Sequence, residues 1–142
     1  MPVGVLPSGH DHLDPTAARL YDQEMAALLS VVSAGNAGED DSNGYMLSNY
    51  PALRQINLSL RAYAAPREAE LVRVLRNASD PHQRQIAAAF LGYVPRSSIQ
   101  AEALTAAIND PDDEVRNNAV RALSVLSAAR NSSLLLIETH SS

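Results

Sequence analysis

The stretch Asn109–Leu126, NDPDDEVRNNAVRALSVL, crowds three acids behind a proline and then settles into a spaced apolar pattern. A metal-binding loop, a catalytic acid cluster and the start of a helix compete as readings. Val115, Ala119, Ala122, Leu123 and Leu126 fall at i, i+4, i+7, i+8 and i+11, one apolar stripe on a helix. Asp is a strong N-cap because its carboxylate accepts the orphan N–H groups of the first turn. Pro suits the next position, where its missing N–H costs nothing. Asp110 is therefore expected to cap a helix running from Pro111 to about Ala129, with Asp112 and Asp113 in a first turn whose dipole favours negative charge. A calcium loop counted from Asp110 would need Gly at its sixth position and Glu at its twelfth, where Val115 and Arg121 stand. No histidine in the stretch supports a carboxylate pair for acid–base work.

The same device recurs upstream at Asp14-Pro15 and Asp80-Pro81. Asp14 opens a helix predicted over 15–34, behind a flexible lead-in over 1–14. The acid- and glycine-rich segment 35–48 reads as a flexible loop. Helical spacing then predicts a helical domain over 49–130. Its helices run from about Pro51 to before Pro66, from Pro66 to about Ala78, from Pro81 to Val94 and from Ser98 to Asn109, followed by the helix at Pro111. Asp80 with Gln83 three residues on resembles a capping box. Residues 131–142 read as a tail or a frayed helix, and no segment shows a strong strand pattern.

Composition narrows the chemistry. The chain has 142 residues, a single-domain length. Hydrophobic residues make up 46% and aromatics only 4%, so the core is built mainly from Ala, Leu and Val, as in packed helices. All basic residues are Arg, which removes a P-loop lysine and a Schiff base. There is no Cys, hence no disulfide, thiol nucleophile or Cys-based zinc site. A formal net charge of −5 argues against nucleic-acid partners. Met1–His10 lacks the basic start and apolar run of a signal peptide, and no segment approaches the length of a membrane span. A cytoplasmic protein is the default expectation, although a processed exported form would read the same.

Residues 69–94 and 101–126 align at an offset of 32. Arg84 then falls on Arg116, Ala87 on Ala119, Leu91 on Leu123, Gly92 on Ser124 and Val94 on Leu126. A fixed period near 30 with two helices per unit is the mark of an α-solenoid. Asp110, Pro111, Asp112, Val115, Arg116, Ala119, Ala122, Leu123 and Leu126 fit the pattern D-P-D-x-x-V-R-x-x-A-x-x-A-L-x-x-L. In this the stretch resembles the second half of a HEAT repeat, in the short variety also found in phycobilisome-lyase-like proteins. The upstream copy keeps Arg84, Ala87, Leu91 and Gly92 but has Gln83 where the family prefers Val. The resemblance covers residues 69–127. It implies an all-α fold, an α-solenoid of HEAT-like antiparallel helix pairs with a helical N-terminal extension. It also implies that Arg84 and Arg116 form an internal ladder, bridging to turn acids or carbonyls of a neighbouring repeat, with Asp80 and Asp110 as structural caps.

Such solenoids bind through an extended helical face. Asn117, Asn118 and Arg121 fall opposite the apolar stripe of the last helix. With Gln85 in the previous repeat and Arg54 and Arg61 on the second helix, they are the candidate partner contacts. The leading expectation is a non-enzymatic protein-interaction or scaffold module without a cofactor, acting on a protein partner. An accessory or maturation factor of phycobilisome-lyase-like type is the alternative. HEAT-like folds also include DNA glycosylases with basic, aromatic faces, but this chain lacks Trp and is acidic. The segment His10-x-His12-x-Asp14 resembles part of the metallo-β-lactamase zinc motif, which would make it a metal site or hydrolase. Pro15 stands where that motif continues with His, so a lead-in followed by an N-cap is the simpler reading. The apolar run Leu134–Ile137 gives the solenoid an unfinished end, as in a piece of a longer array or a self-associating chain.

Overall fold

The structure is a computed structural model and describes residues 12–33, 39–40 and 47–141. In chain order its elements are α1 (Pro15–Ser33), β1 (Glu39–Asp40), β2 (Leu47–Ser48), α2 (Pro51–Ala64), a 3-10 turn (Ala65–Arg67), α3 (Glu68–Asn77), α4 (Pro81–Leu91), α5 (Ser98–Ala107) and α6 (Asp113–Ser141). The fold is all-α. Among the described residues no helix is long and apolar enough to cross a membrane.

Short connections fold α3 onto α4 and α5 onto α6. Between these hairpins α3 lies against α5 and α4 against α6. α2 packs on α1 and touches α4. Small residues let α4 and α6 approach closely: a Cβ on Gly92 would sit 3.1 Å from the Cβ of Ala122 and 3.3 Å from the carbonyl of Ala89. The core is aliphatic, with Leu60, Leu71, Val74, Ile86, Leu91, Leu104 and Val115 fully buried. Each such side chain contributes about 1.5–3 kcal/mol of transfer free energy. The single phenylalanine, Phe90, sits where α1, α2 and α4 meet. Its ring lies 6.5 Å from that of Tyr21 and 5.8 Å, edge-on, from that of Tyr63.

Several boundaries and caps differ from the sequence expectations. Asp14 and Asp80 cap as expected: Asp14 Oδ1 accepts from the N–H of Thr16 (2.9 Å) and Asp80 Oδ1 from that of His82 (2.9 Å). At the third Asp-Pro the same bond forms, Asp110 Oδ1 accepting from the N–H of Asp112 (2.9 Å), but the helix starts later. α6 begins at Asp113, and Asp112 is its cap, with Oδ2 accepting from the N–H of Val115 at 3.0 Å. Asp110 also takes the guanidinium of Arg84 on both of its oxygens, Nε to Oδ2 at 3.0 Å and Nη2 to Oδ1 at 3.1 Å. A long-range ion pair between two buried side chains thus joins the local bond at Asp110, and Pro111 lies in the turn rather than in the helix.

The capping box is also elsewhere. Gln83 does not reach back to Asp80; its Oε1 accepts from the N–H of Leu13 at 2.7 Å. The box closes at Ser97 and Gln100, where Ser97 Oγ accepts from Gln100 N (3.0 Å) and Gln100 Oε1 accepts from Ser97 N (3.1 Å).

α4 ends at Leu91, not Val94. Gly92, Tyr93 and Val94 each donate their N–H three residues back, a tightened turn that carries Tyr93 inward. α6 continues past Ala129 to Ser141, with neither Gly nor Pro to interrupt it, so the expected boundary at 131 does not break the helix. Within the expected loop, β1 pairs antiparallel with β2, Glu39 opposite Ser48 and Asp40 opposite Leu47. Two residues a side are too short to leave an alternation in the sequence. The lead-in up to residue 11, the rest of that loop (34–38 and 41–46) and the side chains of Leu134–Ile137 lie outside the described residues.

Candidate functional site

α1, the end of α4 and one face of α6 enclose a cavity of about 190 Å³. Its walls are mostly apolar: Met25 and Leu28 from α1, Ala89 and Gly92 from α4 and its cap, Ala122 and Val125 from α6. Four polar or charged side chains interrupt them besides Tyr93, namely Glu24, Glu114, Asn118 and Arg121.

The polar wall is built from buried groups that hold one another. Glu24 is only 3% exposed, and its Oε2 accepts from the Tyr93 hydroxyl at 2.5 Å. The same hydroxyl accepts from Asn57 Nδ2 at 3.1 Å, while Asn57 Oδ1 takes the N–H of Ser48 at 2.9 Å. Arg61 Nη1 donates to the Tyr93 carbonyl at 2.6 Å. Burial pushes the Tyr93 hydroxyl well above the ordinary tyrosine range, and the negative charge of Glu24 and the hydrogen bond to it add to the effect. Tyr93 is therefore a fixed donor to Glu24 rather than a titrating group at neutral pH. The chain of bonds runs from β2 through α2 and the turn after α4 to α1.

The expected contact residues are spread over this framework. Asn118 and Arg121 line the cavity. Asn118 Nδ2 donates to Tyr21 Oη (3.1 Å) and to the carbonyl of Gln85 (3.0 Å), so it joins α6 to α1 and α4. Burial raises the Tyr21 hydroxyl above the usual value despite that bond. Gln85 is half-buried in the same seam, with Nε2 donating to Asp112 Oδ2 at 3.0 Å. Asn117 is exposed beside Glu114. Arg54 and Arg61 are half-buried on α2 and donate to backbone carbonyls, Arg54 to that of Ser48 and Arg61 to that of Tyr93. The structure thus brings Asn118 and Arg121 to one cavity, sets Gln85 behind them, and leaves Asn117, Arg54 and Arg61 outside its lining.

Of the expected ladder, Arg84 spans from α4 to the turn before α6 and also donates to the carbonyls of Ala78 and Ser79. Arg116 stays within its own turn, bonding the carbonyl of Asp110 and the carboxylate of Asp113. His10 lies outside the described residues. His12 is exposed, and Asp14 is occupied by the first turn of α1. Among the described residues no three metal-ligating side chains gather.

Glu24, Asn57 and Tyr93 were not legible as site residues. Each is a single residue inside an otherwise ordinary segment, and their partners lie 36 and 69 residues away. Comparison with protein-family models, with curated proteins and with solved structures finds no match.

Proposed function

We propose that this chain is a non-enzymatic protein-interaction module, built as a short α-solenoid of HEAT-repeat type. Supporting the architecture, the two hairpins stack like on like, α3 on α5 and α4 on α6, and Arg84 links one to the turn of the next through Asp110. α2 extends the α4–α6 layer as the second helix of a degenerate earlier unit. α1 lies across that layer, so the face expected to be open is partly covered by the chain itself.

The observation that carries the functional reading is the cavity left at the edge of α1. It is apolar, shallow in volume and flanked by exposed Arg121 and Glu114, a lining suited to gripping a side chain with polar groups at the rim.

Photo-crosslinking amino acids placed at Glu114 and at Val125, with matched positions at Glu102 and Thr105 on the exposed face of α5, test this in an extract of the source organism. Adducts to a second polypeptide are expected from the cavity rim and not from α5. Equal labelling from both faces, or none from the rim, would contradict the proposal. An adduct of twice the chain's own mass would identify the partner as a second copy.

A further inference from the structure

We propose that the cavity between α1, α4 and α6 receives the cationic tip of a lysine or arginine side chain from the partner, in exchange for the chain's own Arg121. The inference rests on the protein-interaction reading for the source of that side chain, but the cavity's preference for a cation stands or falls separately.

Size points to a side chain. At about 190 Å³ the space is below the roughly 300 Å³ at which pockets for whole small molecules begin. Met25, Leu28, Ala122 and Val125 offer contact along an aliphatic stem.

Charge selects the tip. Two carboxylates line the cavity, Glu24 on the buried wall and Glu114 on the exposed rim, against one guanidinium, Arg121. An anion would meet that excess of negative charge in a space with apolar walls, where charges act more strongly than in water. A cation meets a carboxylate already fixed in place. The Tyr93 hydroxyl holds Glu24 at 2.5 Å and is itself held by Asn57, so little ordering remains to be done on binding.

Arg121 is the built-in competitor. It is exposed on α6, shares the cavity with Glu24 and acts electrostatically on Tyr93. The incoming cation faces the same carboxylates in place of Arg121, whose side chain returns to water, so the exchange leaves the charge balance of the cavity unchanged. An incoming cation whose stem is buried by the apolar walls would displace it.

The test is a titration of the full chain with n-butylguanidinium chloride, followed by amide chemical shifts in ¹H–¹⁵N spectra, with sodium butyrate and n-butanol as parallel probes. Saturable shifts at Gly92, Tyr93, Asn118 and Ala122 are expected with the guanidinium probe alone. Glu24→Gln should weaken it by about tenfold. Glu114→Gln, at an exposed position that leaves the core untouched, should weaken it by about twofold or more, and Arg121→Ala should tighten it by about two- to fivefold.

Binding of butyrate, equal binding of butanol, or an Arg121→Ala variant that binds no better would overturn the inference. Rim crosslinks to a partner without any guanidinium binding would sink this inference and leave the interaction reading standing. Guanidinium binding without crosslinks would do the reverse.

Discussion

The two ends of the molecule are held by different kinds of contact. In the paired helices α3 to α6, the same positions recur: Ala87 and Ala119, Leu91 and Leu123, and arginines 84 and 116 each facing a turn. Their packing is aliphatic and periodic, and the buried Arg84–Asp110 pair ties one hairpin to the next. α1 and the β2–α2 segment bury apolar groups too, but they are positioned by single polar bonds to distant partners. Leu13 N–H meets Gln83, Tyr21 meets Asn118, Glu24 meets Tyr93, and Asn57 meets both Ser48 and Tyr93. A hydrogen bond contributes little net stability when made but leaves a costly orphan when broken. The paired helices are therefore held chiefly by buried aliphatic surface, whereas the polar bonds fix where α1 comes to rest. Because α1 forms one wall of the cavity, those bonds also set the site.

The sharpest way to break this contrast lies in the repeated part. Asp110→Ala leaves the buried Arg84 guanidinium without its carboxylate, and removing one partner of a buried pair costs about 3–5 kcal/mol. Urea denaturation of the intact chain should show a loss in that range. A loss below about 1 kcal/mol would mean that the link between hairpins is ornamental.

In the other region, Tyr93→Phe deprives Glu24 of a donor and Asn57 of an acceptor at once. The expected cost is about 1–3 kcal/mol, read by the same denaturation.

The smallest effect concerns the cap of α6. Asp112→Ala should cost about 1 kcal/mol, and Asp112→Asn, an equally good cap, almost nothing at neutral pH. In the wild type, burial pushes the Asp112 carboxyl upward, but the Val115 N–H and the Gln85 amide outweigh it, so the group sits below its usual 3.8. A lowered native value means that the ionised form stabilises the fold. That contribution is complete above 3.8 and is lost as pH falls through the depressed native value. Thermal midpoints followed from about pH 5 down to about pH 2 should therefore fall less steeply in Asp112→Asn than in the wild type. An identical acid limb would show that the carboxylate plays no part.

How far the sequence could be read follows the same division. Helices α1 to α6 were legible because apolar spacing and Asp-Pro starts are local signals, and Asp14 and Asp80 act where those signals put them. Asp110 carries the same signal and makes the same bond to the N–H two residues on, but α6 starts later, behind Asp112, and a residue 26 positions upstream shares its carboxylate. Gln83 departs from the capping-box expectation because a backbone N–H 70 positions away takes its amide oxygen. The Ser97-x-x-Gln100 box was written plainly in the chain and could have been found. For the cavity, Asn118 and Arg121 could be named from the polar face of one helix. Glu24 and Tyr93 could not, since nothing local distinguishes a buried glutamate on α1 from its solvated neighbours Asp22 and Gln23. Only the tightened turn after Leu91, which sends Tyr93 inward, pairs them.

The measurement that bears most directly on the division is native-state hydrogen exchange on the wild type and Tyr93→Phe, resolved by residue. Amides of α1 over 15–33 should open at lower free energy than those of α4 and α6 over 81–91 and 115–126. Tyr93→Phe should lower protection in α1 and α2 while leaving α5 and α6 close to wild type. A uniform loss across every helix would contradict this, and would mean that α1 and the paired helices are one cooperative unit rather than a repeated body with a helix latched onto it.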